Sequence, residues 1–240
     1  MIEEIGAALN IEVLRADEGK AKQYETFSEH DLWTALTQYA WNEGTLPKNV
    51  LVDDMARSWL TKERFPVVTI TRNYGGNTAI AEQHVFLSKK FYHVPDTEQM
   101  LWYIPVMYLT AENVNVSAVR PAAWMKNQRQ ITLSGLPRSY QFIIVNPAEI
   151  GMFLVNYDPT NWALLADALR TGVLPVAVRV KLLHDAWNLA FAGELNFNSA
   201  MNMTLFLKDE TEYAVWDVMY TMFDHVGRYL DGTRAGDKFK

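Results

Sequence analysis

Residues 149–172 read EIGMFLVNYDPTNWALLADALRTG, and the hydrophobic period changes in their middle. EIGMFLVNY (149–157) reads as a strand. Asp158 then stands where a helix N-cap belongs. Pro159 follows at the first helical position, where a missing N–H goes unnoticed, and Gly172 closes the helix. The chain therefore passes from a β region to a helical region at about residue 157.

Upstream of this switch the strand period dominates. FPVVTITRN (65–73) is rich in β-branched residues, YGGN (74–77) is a turn signal, and AEQHVFLSKKF (81–91) alternates roughly. QMLWYIPVMYLTAE (99–112) reads as a third strand, with Pro105 marking it as an edge or bulged one. QRQITLS (128–134) and SYQFIIVNP (139–147) follow as further strands. Several short strands with turns between them predict a β-sandwich or a small barrel. Two helices precede them. SEHDLWTALTQYAWNEG opens at Ser28, with Asp31 three residues on. NVLVDDMARSWLTKE places Val52, Met55, Ala56 and Trp59 on one side. Beyond Gly172, residues 174–193, 199–209 and 211–232 read as helices. The predicted fold class is multidomain α+β: a helical segment over 1–64, a small β-sandwich over 65–157, and an α-helical array over 158–240. Residues 1–27 resist placement.

The composition narrows the function. The chain has 240 residues, 49% hydrophobic and 21% charged, enough for a real core and unlike a disordered segment. A net charge of -6 gives no support for nucleic-acid binding, which draws on a dense basic patch. Without cysteine there is no disulfide and no thiol chemistry. The first twenty residues carry acids where a signal peptide has a positive region. No apolar run reaches the roughly 18 residues that a membrane span requires. Eight Trp, 11 Tyr and 11 Phe point to aromatic packing or to surfaces that meet another domain.

Chemistry has few candidates. Five histidines, His30, His84, His93, His184 and His225, include no HExxH and no pair four residues apart. His184 and Asp185 are neighbours, as are Asp224 and His225, and a metal site joining the four across two helices is one reading. The other follows the helix face. Leu182, Leu183, Ala186, Leu189 and Ala190 form an apolar stripe bordered by Trp187, which leaves Lys181, His184, Asp185 and Asn188 on a polar surface or a domain seam. Gly75-Gly76-Asn77 lacks the lysine and the following helix of a phosphate loop and reads as a hairpin turn. No GxSxG occurs. Asn115-Val-Ser and Asn202-Met-Thr are glycosylation acceptor triplets, relevant if the chain is secreted. Trp102, Trp124 and Trp162 are interface anchors or core residues.

Seven stretches together carry a resemblance: DLWTAL (31–36), RFPVVTI (64–70), QHVFL (83–87), LWYIPV (101–106), GMFLVNYDPTNW (151–162), LPVAVRVKLLHDAWNLA (174–190) and MTLFLKDETEYAVW (203–216). In this order they resemble the zinc metallo-aminopeptidases of the aminopeptidase N family, over about residues 28–230, with a flavour of the insect gut members. The resemblance implies that residues 1–64 are the end of the thermolysin-like catalytic domain. Residues 65–157 would then be the sandwich, and 158–240 the start of the C-terminal helical domain. Trp59, Trp102, Tyr157, Asp158, Trp162, His184, Asp185 and Trp187 become structural or domain-seam positions. Where the family carries a tyrosine-containing pair, this chain has Met152-Phe153, so that hydroxyl is absent.

The family's chemistry does not map onto these residues. Its HExxH, its distant zinc-binding glutamate and its Gly-Ala-Met-Glu-Asn motif have no counterpart, so no catalytic and no metal-binding residue is assigned. The implied function is that of a partial aminopeptidase chain. The parent, with zinc, would remove N-terminal amino acids from peptides, and this segment would position and cap the catalytic domain. The implied partners are the rest of the aminopeptidase chain and the parent's peptide substrates, with no nucleic acid. The parent would sit at the extracellular face of the plasma membrane, held by an anchor outside these residues. Two alternatives belong to other classes: a non-catalytic protein- or glycan-binding scaffold module, and an unrelated hydrolase built on the His-Asp helices.

Overall fold

The structure is a computed structural model that describes Thr26 and residues 28–88, 99–118, 120–234 and 236–239. It opens with two helices, α1 (Glu29–Asn42) and α2 (Val52–Leu60). The start of α1 is a closed capping box: the Ser28 hydroxyl accepts the Asp31 N–H, and the Asp31 carboxylate accepts the Ser28 N–H. Trp33, Leu36 and Ala40 of α1 bury against Val52, Met55 and Ala56 of α2. Thr37 fixes the approach of the two helices. Its hydroxyl accepts the Val52 N–H at 2.9 Å and donates to the Trp33 carbonyl at 2.7 Å.

Among the described residues, eight short strands follow: β1 (Pro66–Asn73), β2 (Thr78–Val85), β3 (Tyr103–Val106), β4 (Tyr108–Thr110), β5 (Ala123–Lys126), β6 (Gln130–Leu133), β7 (Ile143–Val145) and β8 (Leu154–Tyr157). One sheet has the order β6-β2-β1-β8, and two further pairs are β3-β5 and β4-β7. β1 and β2 form the hairpin expected around the double glycine, with Asn73 opposite Thr78. The Asn73 carboxamide accepts the Gly75 and Gly76 N–H groups, and Asn77 takes the positive φ of 50° that closes the turn. β8 joins β1 in parallel, with Val155 beside Val68 and Tyr157 beside Ile70.

The helical part comprises α3 (Pro159–Arg170), α4 (Val176–Phe191), α5 (Phe197–Asn202), α6 (Tyr213–Leu230) and α7 (Gly236–Phe239). The chain thus mixes small sheets with helices, in the class expected. The switch from strand to helix falls at Asp158, whose side chain caps α3 through the Thr160 and Asn161 N–H groups, with Pro159 in the first turn. One buried cluster runs from Val68, Ile104 and Ile144 of the strands through Trp162 and Leu165 of α3 to Leu182 and Ala186 of α4, ending at Val215 and Met219 of α6.

Several elements differ from the sequence reading, among them the strands read over 139–147 and 149–157, which are regular only over Ile143–Val145 and Leu154–Tyr157. The run 99–112 is two strands, because the backbone turns from one two-stranded sheet into another at the buried Met107. Pro105 lies in β3, which has a neighbour on one side only and so tolerates a missing N–H. Residues 123–126 form an unforeseen strand; AWMK is too short to establish a period. The expected helix over 199–209 is split into α5 and a 3₁₀ turn at 205–209, which buries Phe206 and Leu207. The second strand ends at Val85, earlier than expected, and the end of its predicted run (89–91) lies outside the described residues.

Candidate functional site

The strand-to-helix switch is a half-buried polar node at the edge of the apolar core. Asp158 Oδ1 accepts the Thr160 and Asn161 N–H groups at 3.0 Å and the Tyr74 hydroxyl at 2.7 Å, while Oδ2 accepts the Arg72 N–H at 3.1 Å. Burial, reinforced by the Asp158 carboxylate, raises the Tyr74 hydroxyl's pKa. The Arg72 guanidinium lies over the Tyr74 ring at 4.7 Å and donates to the Gln141, Pro137 and Arg138 carbonyls. Asn161, fully buried on α3, accepts the Ile143 N–H at 3.1 Å and returns a bond to the Ile143 carbonyl at 2.9 Å, extending β7 as a strand would. The Tyr157 hydroxyl accepts the Val145 N–H at 2.8 Å, and burial pushes its pKa up. The Trp162 ring meets that of Tyr157 edge to face at 5.1 Å, and its N–H goes to Asn156. Tyr157, Asp158 and Trp162 therefore hold β1, β7, β8 and α3 together.

In a second node, two residues of the polar face expected on α4 lie against the sheet and not at a surface. Asp185 is 1% exposed and Lys181 is 0% exposed, and the two form an ion pair one helical turn apart. Asp185 Oδ2 also accepts the Val155 N–H at 3.2 Å, a bond from helix to sheet. Desolvation pushes the Asp185 carboxyl above its ordinary range, against the pull of Lys181. Only His184 and Asn188 of the expected polar quartet are half-buried. The physical reason is that α4 is packed on nearly all sides, so its charges are paired inside instead of solvated outside. His184 instead borders an apolar cleft of about 320 Å³ with Phe65, Met152 and Phe153.

The remaining expected positions are packing residues. Trp187 is buried against Phe191, Phe197 and Phe223. Trp59 donates its ring N–H to the Tyr103 carbonyl at 2.9 Å, and its ring lies 6.3 Å from that of Trp102. Trp102 is fully buried, and the buried Gln83 carboxamide both donates to its carbonyl and accepts its N–H. Met152 is exposed and Phe153 is buried.

Three of the histidines are already engaged. His84 on β2 pairs with Glu194 at 2.8 Å beside a cleft of about 390 Å³. His30 faces Asp53 at 3.9 Å, and His225 lies against the Phe191 ring. His93 lies outside the described residues. Among the described residues, no three His, Asp or Glu side chains converge as a metal would require. The four-residue site across two helices is not assembled: Asp185 turns inward to Lys181 and Asp224 pairs with Arg228.

Comparison with known proteins gives these nodes a setting. The ERAP1-like C-terminal domain family matches residues 142–240. Aminopeptidase N of Oryctolagus cuniculus is 31% identical over 225 residues, covering 89% of this chain and 22% of the relative. Aminopeptidase N of Rattus norvegicus is 27% identical over 212 residues (87% and 21%), and that of Plutella xylostella 28% over 189 residues (76% and 19%). The chain belongs to the aminopeptidase N-like family. It spans about a fifth of the length of the curated relatives it matches.

In this aminopeptidase N-like chain the residues with the strongest electrostatics join elements to one another. Sequence reasoning missed Arg72, Asn161 and Gln83, and it named Lys181 without its pairing to Asp185. The signal for Arg72 was its place two residues after Ile70, on the inward side of β1. For Lys181 and Asp185 it was their spacing of four. A further tie joins α4 to α6. Arg179 pairs with Glu210 at 2.8 Å, and Glu210 accepts the Thr211 and Glu212 N–H groups just before α6 begins. Burial opposes the Glu210 charge, but hydrogen bonds from the Glu212 N–H, Arg179 and the Thr211 N–H outweigh it and hold the carboxyl below its ordinary range. No helix among the described residues is long and apolar enough to cross a membrane.

Proposed function

We propose that this chain is the framework segment of a zinc aminopeptidase that removes N-terminal amino acids from peptides. Within it, residues 1–64 end the catalytic domain, 65–157 form a β-sandwich, and 158–240 begin a helical domain that caps the catalytic cleft. The zinc belongs to the parent. The described residues offer no ligand set that fits it, so no step of the reaction is assigned to them. The partner of this segment is the rest of the aminopeptidase chain, and the parent acts on peptides at the extracellular face of the plasma membrane, anchored elsewhere.

The observation that supports this function most is the pair of nodes at Asp158 and Asp185. Each ties a helix of the ERAP1-like region to the sheet through bonds to a carboxylate, half-buried at Asp158 and fully buried at Asp185. A helical wall held in this way keeps a fixed angle to the sheet beneath it, as a cap over a cleft requires. Trp59 and Ser58 bond to the Tyr103 backbone and tie α2 to the same strands, which would transmit that angle to the catalytic side.

Sequencing the transcript that encodes this chain tests the proposal. An upstream HExxH and Gly-Ala-Met-Glu-Asn motif, in frame, is the expected result. A mature message encoding these 240 residues without either motif would favour the scaffold module.

A further inference from the structure

We propose that Asn115 is an N-glycan acceptor and that Asn202, in the other acceptor triplet, is not. The proposal rests on the extracellular assignment of the parent.

The two triplets have different surroundings. Asn115 and Ser117 are both exposed, while Val116 between them packs against the core. The Asn115 Oδ1 accepts the Ser117 N–H at 3.1 Å, and the Asn113 Oδ1 accepts the Asn115 N–H at 3.0 Å. Each contact spans two residues, so the segment can form them before any distant partner is in place. The turn brings the third residue of the triplet against the carboxamide of the first. Among the described residues, no hydrogen bond occupies Asn115 Nδ2. A sugar attached there would extend into water and displace no contact.

Asn202 is the last residue of α5 and is half-buried. Its Oδ1 accepts from the Arg170 guanidinium at 2.8 Å, a bond that ties α5 to α3. The Thr204 hydroxyl is turned away, donating to the Met201 carbonyl at 2.7 Å, and Met203 is 1% exposed. Residues two apart at a helix end do not face each other, so the hydroxyl cannot serve the carboxamide. A sugar at Asn202 would also displace Arg170.

The reaction is a group transfer from a lipid diphosphate-linked oligosaccharide. The Asn115 Nδ2–C1 bond to the first sugar forms, and the C1–O bond to the diphosphate breaks. The lipid diphosphate departs with the electron pair, and Nδ2 loses one proton.

The test is translation of the full 240-residue chain, fused to a cleavable signal peptide, into glycosylation-competent microsomes. Microsomes report modification without depending on export. One endoglycosidase-sensitive mobility step is expected. It should vanish in Asn115→Gln and in Ser117→Ala and persist in Asn202→Gln. No step, or a step that persists in Asn115→Gln, overturns the proposal. Because the signal peptide is supplied, that failure counts against the site and not against the extracellular assignment. A step on the fused chain, with no glycan on the natural parent, supports the site and overturns the assignment alone.

Discussion

The Asp185 carboxylate on α4 accepts the backbone N–H of Val155 on β8 at 3.2 Å. That bond crosses from helix to sheet, and Lys181 supplies the buried counter-charge. Removing the cation strands a carboxylate in a dry interior, which costs about 3–5 kcal/mol. Lys181→Met should lower stability by about that amount at neutral pH. Lys181→Met combined with Asp185→Asn should recover much of the loss, since the amide oxygen still accepts the Val155 N–H and no charge remains. Denaturant midpoints of the two variants check this; equal midpoints would show that the ion pair does not hold the helix.

The same carboxyl sets a pH signature. Its folded pKa is raised above the ordinary value of 3.8. The folded state therefore binds the proton more tightly, and this group's contribution is fully present below about 3.8 and lost as the pH rises through the folded value. Without Lys181 the rise is larger. The stability gap between wild type and Lys181→Met should shrink as the pH is lowered from about 7 toward about 4, read from thermal midpoints at each pH.

Asp158 holds four donors: two from α3, one from β1 and one from the turn after β1. Asp158→Ala removes a helix cap and leaves the Arg72 N–H and the Tyr74 hydroxyl without an acceptor, a loss of about 2–4 kcal/mol. Asp158→Asn keeps an acceptor oxygen and should lose less than half of that. Chemical denaturation of the three proteins under one condition measures both differences.

Glu210 acts with the opposite sign. Its folded pKa lies below the ordinary 4.5, so its contribution is present above 4.5 and is lost as the pH falls through the folded value. Glu210→Gln should be less stable than wild type at neutral pH, and the two should converge in acid. Thermal scans across the acid range follow the convergence.

These residues also mark how far the sequence could be read. The capping box at Ser28, the hairpin at Gly75-Gly76 and the cap at Asp158 are local patterns, and all three stand in the structure. The pairing of β8 with β1 is not local: it joins residues more than 80 positions apart, which no periodicity encodes. Helix periodicity placed Lys181 and Asp185 on a polar surface or a domain seam by their charge. It had no means of seeing that packing on nearly all sides of α4 makes an internal pair the better arrangement. Arg72 was hidden in the same way, a cation on the inward side of a strand whose carbonyl partners come from the loop at 137–141.

The central proposal is that this chain frames an aminopeptidase whose catalytic residues lie outside it. The most direct measurement is hydrolysis of an aminoacyl chromogenic substrate by the purified 240-residue chain, with zinc supplied and with a chelator present. No release above the buffer rate is expected in either case. Zinc-dependent release of the N-terminal residue, abolished by the chelator, would contradict it.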